Sequence, residues 1–245
     1  VKIVSVIAAY DERENIEELT RRLAGVFESL EGWHSEMIFV VEGLDGTREI
    51  LAGLSREYPT IRILYNEKPS GLGNATRRGF EALPPDADYV VTMDADLNHQ
   101  PEEIPRLLRA ARARGADILV GSRFVEGGRI DGTPVWKLFL SGALNGIIGA
   151  SFGVKIRDKT SGFKVYRRAI LSRIAFENDN FAFQPEILIR ARSAGLHVAE
   201  EPIHFVYRRH GVSKMYFWAT VFSFLSLLKL GLRPGRSRNE VDSAP

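Results

Sequence analysis

The chain has 245 residues, a net charge of +2, 44% hydrophobic and 26% charged residues, and no cysteine. Its length is enough for a sizeable core in one large α/β domain. The near-neutral balance provides no whole-chain field for nucleic acid, and the absence of cysteine excludes disulfides and thiolate metal sites and fits a reducing compartment.

The chain opens on "KIVSVIAAY", an apolar run of strand length with no signal-peptide pattern before it. "DERENIEELTRRLAGVFESL" follows with helical spacing, Ile16, Leu19, Leu23, Val26, Phe27 and Leu30 marking one face. "SEMIFVVE" predicts a second strand, "DGTREILAGLSREY" a second helix and "IRILYN" a third strand. "GLGNATRRGFEAL" opens a third helix after glycines, and "ADYVVTMDAD" predicts a fourth strand running to Asp96. Pro101, Glu102 and Glu103 suit the first turn of the next helix and Gly115 its end, before "ADILVGSR" as a fifth strand. Repeated strand–helix–strand units of this length imply a mainly parallel sheet with helices on both faces.

The rhythm changes after Arg123. Residues 124–162 are glycine-rich and weakly patterned, and "AGLHVAEEPIHFVYRR" reads as a strand pair or extended segment. Two apolar runs, Leu138 to Val154 and Met215 to Leu228, are too short or too diluted for a clear membrane span and suit a bilayer surface. The last residues, "RPGRSRNEVDSAP", have the composition of a disordered tail.

In open α/β sheets ligands bind beyond the carboxyl ends of the strands. Tyr10, Asp11 and Glu12, then Glu42, then Asp94 and Asp96 fall there. Alternate residues of a strand share a face, so Asp94 and Asp96 can converge on one hard cation such as Mg²⁺ or Mn²⁺, with Asn98 adding an amide oxygen. The same residues equally suit a turn and helix cap. "KPSGLGNATRRGF" lacks Walker spacing; its glycines admit either close approach of an anion or a tight turn. Arg123, Lys137, Arg157, Lys159, Lys164, Arg208, Arg209 and Lys214 supply cations for phosphate or for ordinary surface. Glu186, among apolar residues, is either a partly buried acid or part of a surface turn. No histidine pair has metal spacing and no Gly-x-Ser-x-Gly elbow occurs, which argues against zinc hydrolases and α/β-hydrolases.

Taken together, "VIAAYDERENI", "GLGNATRRGF", "MDADLNHQPEEIP", "GSRFVEGG", "DKTSGFKVYRR", "FAFQPEI" and "FVYRRHGVSKM" resemble, in order, the dolichol-phosphate mannosyltransferase group of family-two glycosyltransferases, over roughly Ile3 to Lys214. The resemblance implies a GT-A (Rossmann-like) α/β fold over residues 1–214; the apolar run with its flanking cations reads as an amphipathic membrane-surface helix over 215–233 and the polar composition as a disordered tail over 234–245. It implies transfer, with inversion, of a hexose such as mannose from a nucleotide-diphosphate sugar to a polyprenyl phosphate, at the cytoplasmic face of a membrane. Asp94, Asp96 and Asn98 would hold Mg²⁺ or Mn²⁺ and the diphosphate. Ala9, Tyr10, Glu12, Glu42, Gly71, Gly73 and Asn74 would line the nucleotide side. Arg123, Lys137, Ser141, Arg208 and Lys214 would bind phosphates, and Gln184, Glu186 and Ser213 would contact substrate.

Two departures stand out. The segment "VVEGLDGT" is shorter than the family's and carries Glu42 and Gly43 where paired aspartates are usual, which bears on base recognition. Lys137 stands where relatives commonly carry arginine and lacks the two-pronged grip. Rival readings are a polyprenyl-phosphate glucosyltransferase, a sugar nucleotidyltransferase (whose Gly-rich N-terminal signature is missing here), and an inactive nucleotide- or lipid-phosphate-binding module.

Overall fold

Residues 1–207 are described by a computed structural model. The first half follows the apolar pattern closely. β1 (Lys2–Tyr10) buries its residues on alternating faces, Ile3, Ile7 and Ala9 toward one side and Val4 and Val6 toward the other. α1 (Ile16–Glu28), β2 (His34–Glu42), α2 (Thr47–Glu57), β3 (Ile61–Asn66), α3 (Leu72–Glu81) and β4 (Tyr89–Thr92) follow. A 3-10 turn at Pro101–Glu103 leads into α4 (Ile104–Ala113), then β5 (Ile118–Ser122). The second half adds β6 (Arg129–Asp131), α5 (Val135–Phe152), β7 (Lys164–Arg167), α6 (Phe183–Ser193), β8 (Val198–Pro202) and β9 (His204–Val206).

Seven strands form one sheet in the order β3-β2-β1-β4-β7-β5-β8. β7 alone runs antiparallel to its neighbours β4 and β5. One core layer joins β-sheet residues to Ile16, Leu19, Leu23, Leu51, Ile104 and Leu107, from α1, α2 and α4. The other joins them to Ala75, Phe183, Ile187 and Leu188, from α3 and α6. The chain moves outward from β1 to β2 and β3, then returns to β4 on the other side of β1. That reversal opens a crevice beyond the carboxyl ends of β1 and β4, the usual ligand position in such sheets.

Three sequence expectations are corrected. β4 stops at Thr92, so Asp94 and Asp96 do not share a strand face. Beyond it Leu97 takes φ +60° and the Asn98 N–H donates to Asp96 Oδ1 at 3.2 Å, a local side-chain turn that replaces the ladder. "HVAEEPIHFV" does hold two strands, but they do not pair with each other: β8 extends the main sheet beside β5, and β9 pairs with β6. The weakly patterned stretch contains the 18-residue helix α5, whose glycines and exposed apolar residues leave no ordinary amphipathic period. The amphipathic helix expected at 215–233 and the tail at 234–245 lie outside the described residues.

Candidate active site

A cavity of about 510 Å³ opens at this crevice, roofed by α5. Ala9, Tyr10, Glu12, Glu42, Gly71, Asp94, Asp96, Asn98, Arg123, Lys137, Ser141 and Gln184 all line it. Residues far apart in the chain thus share one space.

The acidic end is built by the turn after β4. Asn98 Nδ2 donates to Asp96 Oδ2 at 2.8 Å, and both residues are buried. That bond orients the amide and leaves Asn98 Oδ1 buried with no hydrogen-bond partner. A buried carbonyl oxygen without a donor is rare and calls for an explanation. Beside the Asp96 carboxylate it has the chemistry of a hard-cation ligand. Among the described residues no three His, Cys, Asp or Glu side chains gather into a metal set. The Asp94 and Asp96 carboxylates and the Asn98 amide, which all line the cavity, are oxygen donors of the kind Mg²⁺ or Mn²⁺ prefers. His99 packs beneath Asp94, between Phe163 and Phe205, and burial lowers its pKa to about 4, so it is neutral at neutral pH.

Glu42 ends β2 and is buried. The Ser70 N–H donates to its Oε2 at 2.9 Å, and the single Ser70 hydroxyl proton lies between Glu42 Oε1 and Asn74 Oδ1. The shortened turn after Glu42 depends on Gly43, at φ +97°, where a Cβ would lie 2.2 Å from Asp11 Oδ1.

Arg123 is held by Asp158. Its Nε donates to Asp158 Oδ2 at 2.7 Å and its Nη2 to Oδ1 at 2.8 Å, and Nη2 also reaches Thr160 Oγ1 at 3.0 Å. Burial opposes both charges, yet each partner outweighs it: the guanidinium sits above its ordinary range and the carboxyl below its own. The pair fixes Arg123 as a cation on the cavity wall rather than leaving its whole fork for substrate. Opposite, Lys137 and Ser141 stand one turn apart on α5.

Gln184 is positioned by Lys164, one of the cations that the sequence offers either for phosphate or for ordinary surface. Lys164 is fully buried and donates to Gln184 Oε1 and to the Ser161 carbonyl. Desolvation pulls its pKa to about 7, against the pull of Asp158 and Asp94. Nothing in the spacing of "SGFKVYRR" distinguishes a buried lysine from a solvated one; the signal was its place in a strand between apolar residues.

Three expected site residues stand off the cavity wall. Glu186 is buried and accepts from the Glu177 and Asn178 N–H groups, at 2.9 and 3.0 Å, from Asn178 Nδ2 and from Arg190 Nε. Its carboxylate shapes the 177–179 loop, because those donors saturate it. Gly73 donates its N–H to the Asp179 carbonyl at 2.8 Å, and a Cβ there would meet Asn178 O at 2.0 Å. Its lack of a side chain admits this loop, not a phosphate. Asn74 turns to Ser70. Arg208, Ser213 and Lys214 lie outside the described residues.

A Rossmann-like sheet, an acidic turn at its switch point and a cationic wall across one cavity define a GT-A glycosyltransferase. Residues 5–175 match the Glycosyl transferase family 2 model, and the chain belongs to that family. It is 36% identical over 230 residues to a dolichol-phosphate mannosyltransferase of Pyrococcus furiosus, covering 92% of this chain and 62% of that protein. It is 36% identical over 216 residues to a polyprenol monophosphomannose synthase of Mycolicibacterium smegmatis (86% of this chain, 79% of that one). It is 33% identical over 220 residues to an undecaprenyl-phosphate mannosyltransferase of Micrococcus luteus, covering 88% of each. Among solved structures, glucosyl-3-phosphoglycerate synthase from Mycobacterium tuberculosis aligns with a TM-score of 0.73 at 18% identity, covering 96% of this chain and 81% of that one. The same enzyme with Mn²⁺, UDP-glucose and phosphoglyceric acid aligns at 0.72 and 19%, with the same coverage. At that identity the likeness speaks for the fold.

Proposed function

We propose that the protein transfers mannose from a nucleotide-diphosphate sugar to a polyprenyl phosphate at a membrane surface, with inversion at the anomeric carbon. One observation carries this reading: a single cavity joins the Asp94, Asp96 and Asn98 cluster to Lys137, Ser141 and an apolar helix. The names of the relatives above support the choice of mannose and of a lipid phosphate.

The acceptor phosphate is ionised near neutral pH, so it needs positioning more than a general base. One of its oxygens bonds to the sugar C1 while the bond from C1 to the diphosphate oxygen breaks, and that electron pair leaves with the nucleoside diphosphate. When the acceptor reacts as the dianion, the product is a monoanionic diester and no proton has to move. Arg123 and Lys137 offset the repulsion between two anionic substrates, and Ser141 adds a hydroxyl. Asp94, Asp96 and Asn98 would hold a divalent cation, which when bound neutralises charge collecting on the leaving diphosphate.

The exposed face of α5 fits the lipid. Val135 and Phe139 are 80% and 79% exposed, and Trp136 and Ile147 are exposed with them. Among the described residues α5 is the helix long and apolar enough to cross a membrane, and 11% of its apolar window is buried. A polyprenyl tail leaves the bilayer only at ~0.8 kcal/mol per CH₂, so the enzyme must go to the membrane. We read α5 as lying on that surface with Lys137 and Ser141 facing inward.

The test is product release from a panel of nucleotide sugars with a short polyprenyl phosphate and Mg²⁺ or Mn²⁺. Lipid-linked mannose is expected, and Asp94→Ala should abolish it. Near-normal turnover in that variant, or no lipid product from any donor, would sink the reading.

A further inference from the structure

Lys137 Nζ donates to the Tyr207 hydroxyl oxygen at 2.6 Å, and its ammonium lies 4.8 Å from the Tyr207 ring centroid and 5.5 Å from that of Trp136. Both Lys137 and Tyr207 are half-buried and both line the cavity. Each is held from its own side. The Tyr207 N–H donates to the Asp131 carbonyl at 2.8 Å at the end of the β6–β9 pair, and the Lys137 N–H donates to Pro134 O at 2.9 Å in the first turn of α5.

An ammonium carries three N–H bonds, and one is used on Tyr207. A phenol whose oxygen accepts from a cation still has its own O–H, and that accepted bond polarises it as a donor. The pair therefore offers two directed donors from two fixed elements to an anion in the cavity. A lone lysine presents a point charge; an arginine presents a planar fork that matches two phosphate oxygens.

We propose that Lys137 and Tyr207 act together as a two-pronged grip on the acceptor phosphate, which makes Tyr207 a further substrate-binding residue. This rests on the polyprenyl-phosphate reading above. Tyr207 thereby supplies the second prong that a lysine at 137 lacks.

Tyr207→Phe keeps the ring against the Lys137 ammonium and removes only the hydroxyl. In the full-length chain, the KM for a short polyprenyl phosphate should rise about tenfold, the size of a lost hydrogen bond to a charged group, while the KM for the nucleotide sugar stays within about twofold. Lys137→Arg added to Tyr207→Phe should return the acceptor KM to within about threefold of wild type, because the guanidinium supplies both prongs itself. A purely structural tyrosine would raise both KM values together and would gain nothing from arginine. An unchanged acceptor KM, equal rises for both substrates, or no recovery with arginine overturns the inference while leaving the lipid-phosphate reading standing. Wild-type protein that forms no lipid-linked sugar overturns that reading, and this inference with it.

Discussion

Asn98 gives one amide hydrogen to Asp96 Oδ2 at 2.8 Å and keeps its carbonyl oxygen buried beside that carboxylate without a donor. The bond fixes which way the amide faces, with its nitrogen toward the acid and its oxygen left to accept. Asn98→Ala should weaken Mn²⁺ binding about tenfold or more, as loss of a supporting metal-site group does. Titration of bound Mn²⁺ by electron paramagnetic resonance, with nucleoside diphosphate present, measures this directly. Affinity equal to wild type would remove Asn98 from the cation set.

Gly162 presses on the other carboxylate. Its carbonyl accepts from Thr92 Oγ1 at 2.9 Å, and a Cβ at Gly162 would lie 2.6 Å from Asp94 Oδ1. The clash is with the end of a side chain, which can swing away at little cost to the fold. Gly162→Ala should therefore leave stability within about 1 kcal/mol of wild type, yet lower transfer about a hundredfold by displacing Asp94 by roughly an ångström. Denaturant unfolding and turnover measured on the same preparation separate the two. Equal losses in both would mean that Gly162 serves packing alone.

The apolar face of α5 makes a separate demand. Phe139 projects away from the cavity wall formed by Lys137 and Ser141 and is largely exposed. Phe139→Glu removes an aromatic anchor and adds a charge that anionic lipid repels. Flotation with anionic vesicles should show binding reduced about tenfold, with soluble nucleotide binding unaffected. Undiminished flotation would assign membrane contact to some other part of the chain.

How far the site was legible follows the physics of each segment. Period-two and period-3.6 patterns are strong where a strand or helix has one polar face, which is why β1 to β5 and their helices were readable. α5 was not, since its polar residues Lys137, Ser141 and Asn145 lie on the inner side while Val135, Phe139 and Ile147 are exposed, the reverse of the usual pattern, and Gly142, Gly146 and Gly149 thin its apolar signal. Asp94, Asp96 and Asn98 are identifiable from residue type, but strand alternation does not relate them: β4 ends at Thr92, and the turn at Leu97 is what sets Asn98 against Asp96. Glu186 shows the converse limit. An acid in an apolar run signals burial, but spacing cannot tell whether its carboxylate faces substrate or, as here, backbone N–H groups of its own loop. Lys164 shows the same limit: its place in a strand between apolar residues signals burial, but its partners Gln184 and Ser161 are set by tertiary packing.

Lys164 should make stability depend on pH in a defined direction. Burial lowers its folded pKa from 10.5 to about 7, with Asp158 and Asp94 opposing that drop and Arg123 adding to it. Between those values the unfolded chain binds the proton more readily than the folded one, so folding releases it and stability rises with pH. Below about pH 7 both states carry the charge and the full cost of burying it is felt. Lys164→Met has no such group. The stability of wild type relative to that variant should climb by up to about 1 kcal/mol per pH unit above pH 7, levelling off near the ordinary lysine range. Urea unfolding of both proteins at pH 6.5, 8 and 9.5 (conditions chosen to bracket the window) gives the difference. A flat difference would mean that Lys164 keeps its charge in the folded protein, stabilised by those carboxylates more strongly than burial opposes it.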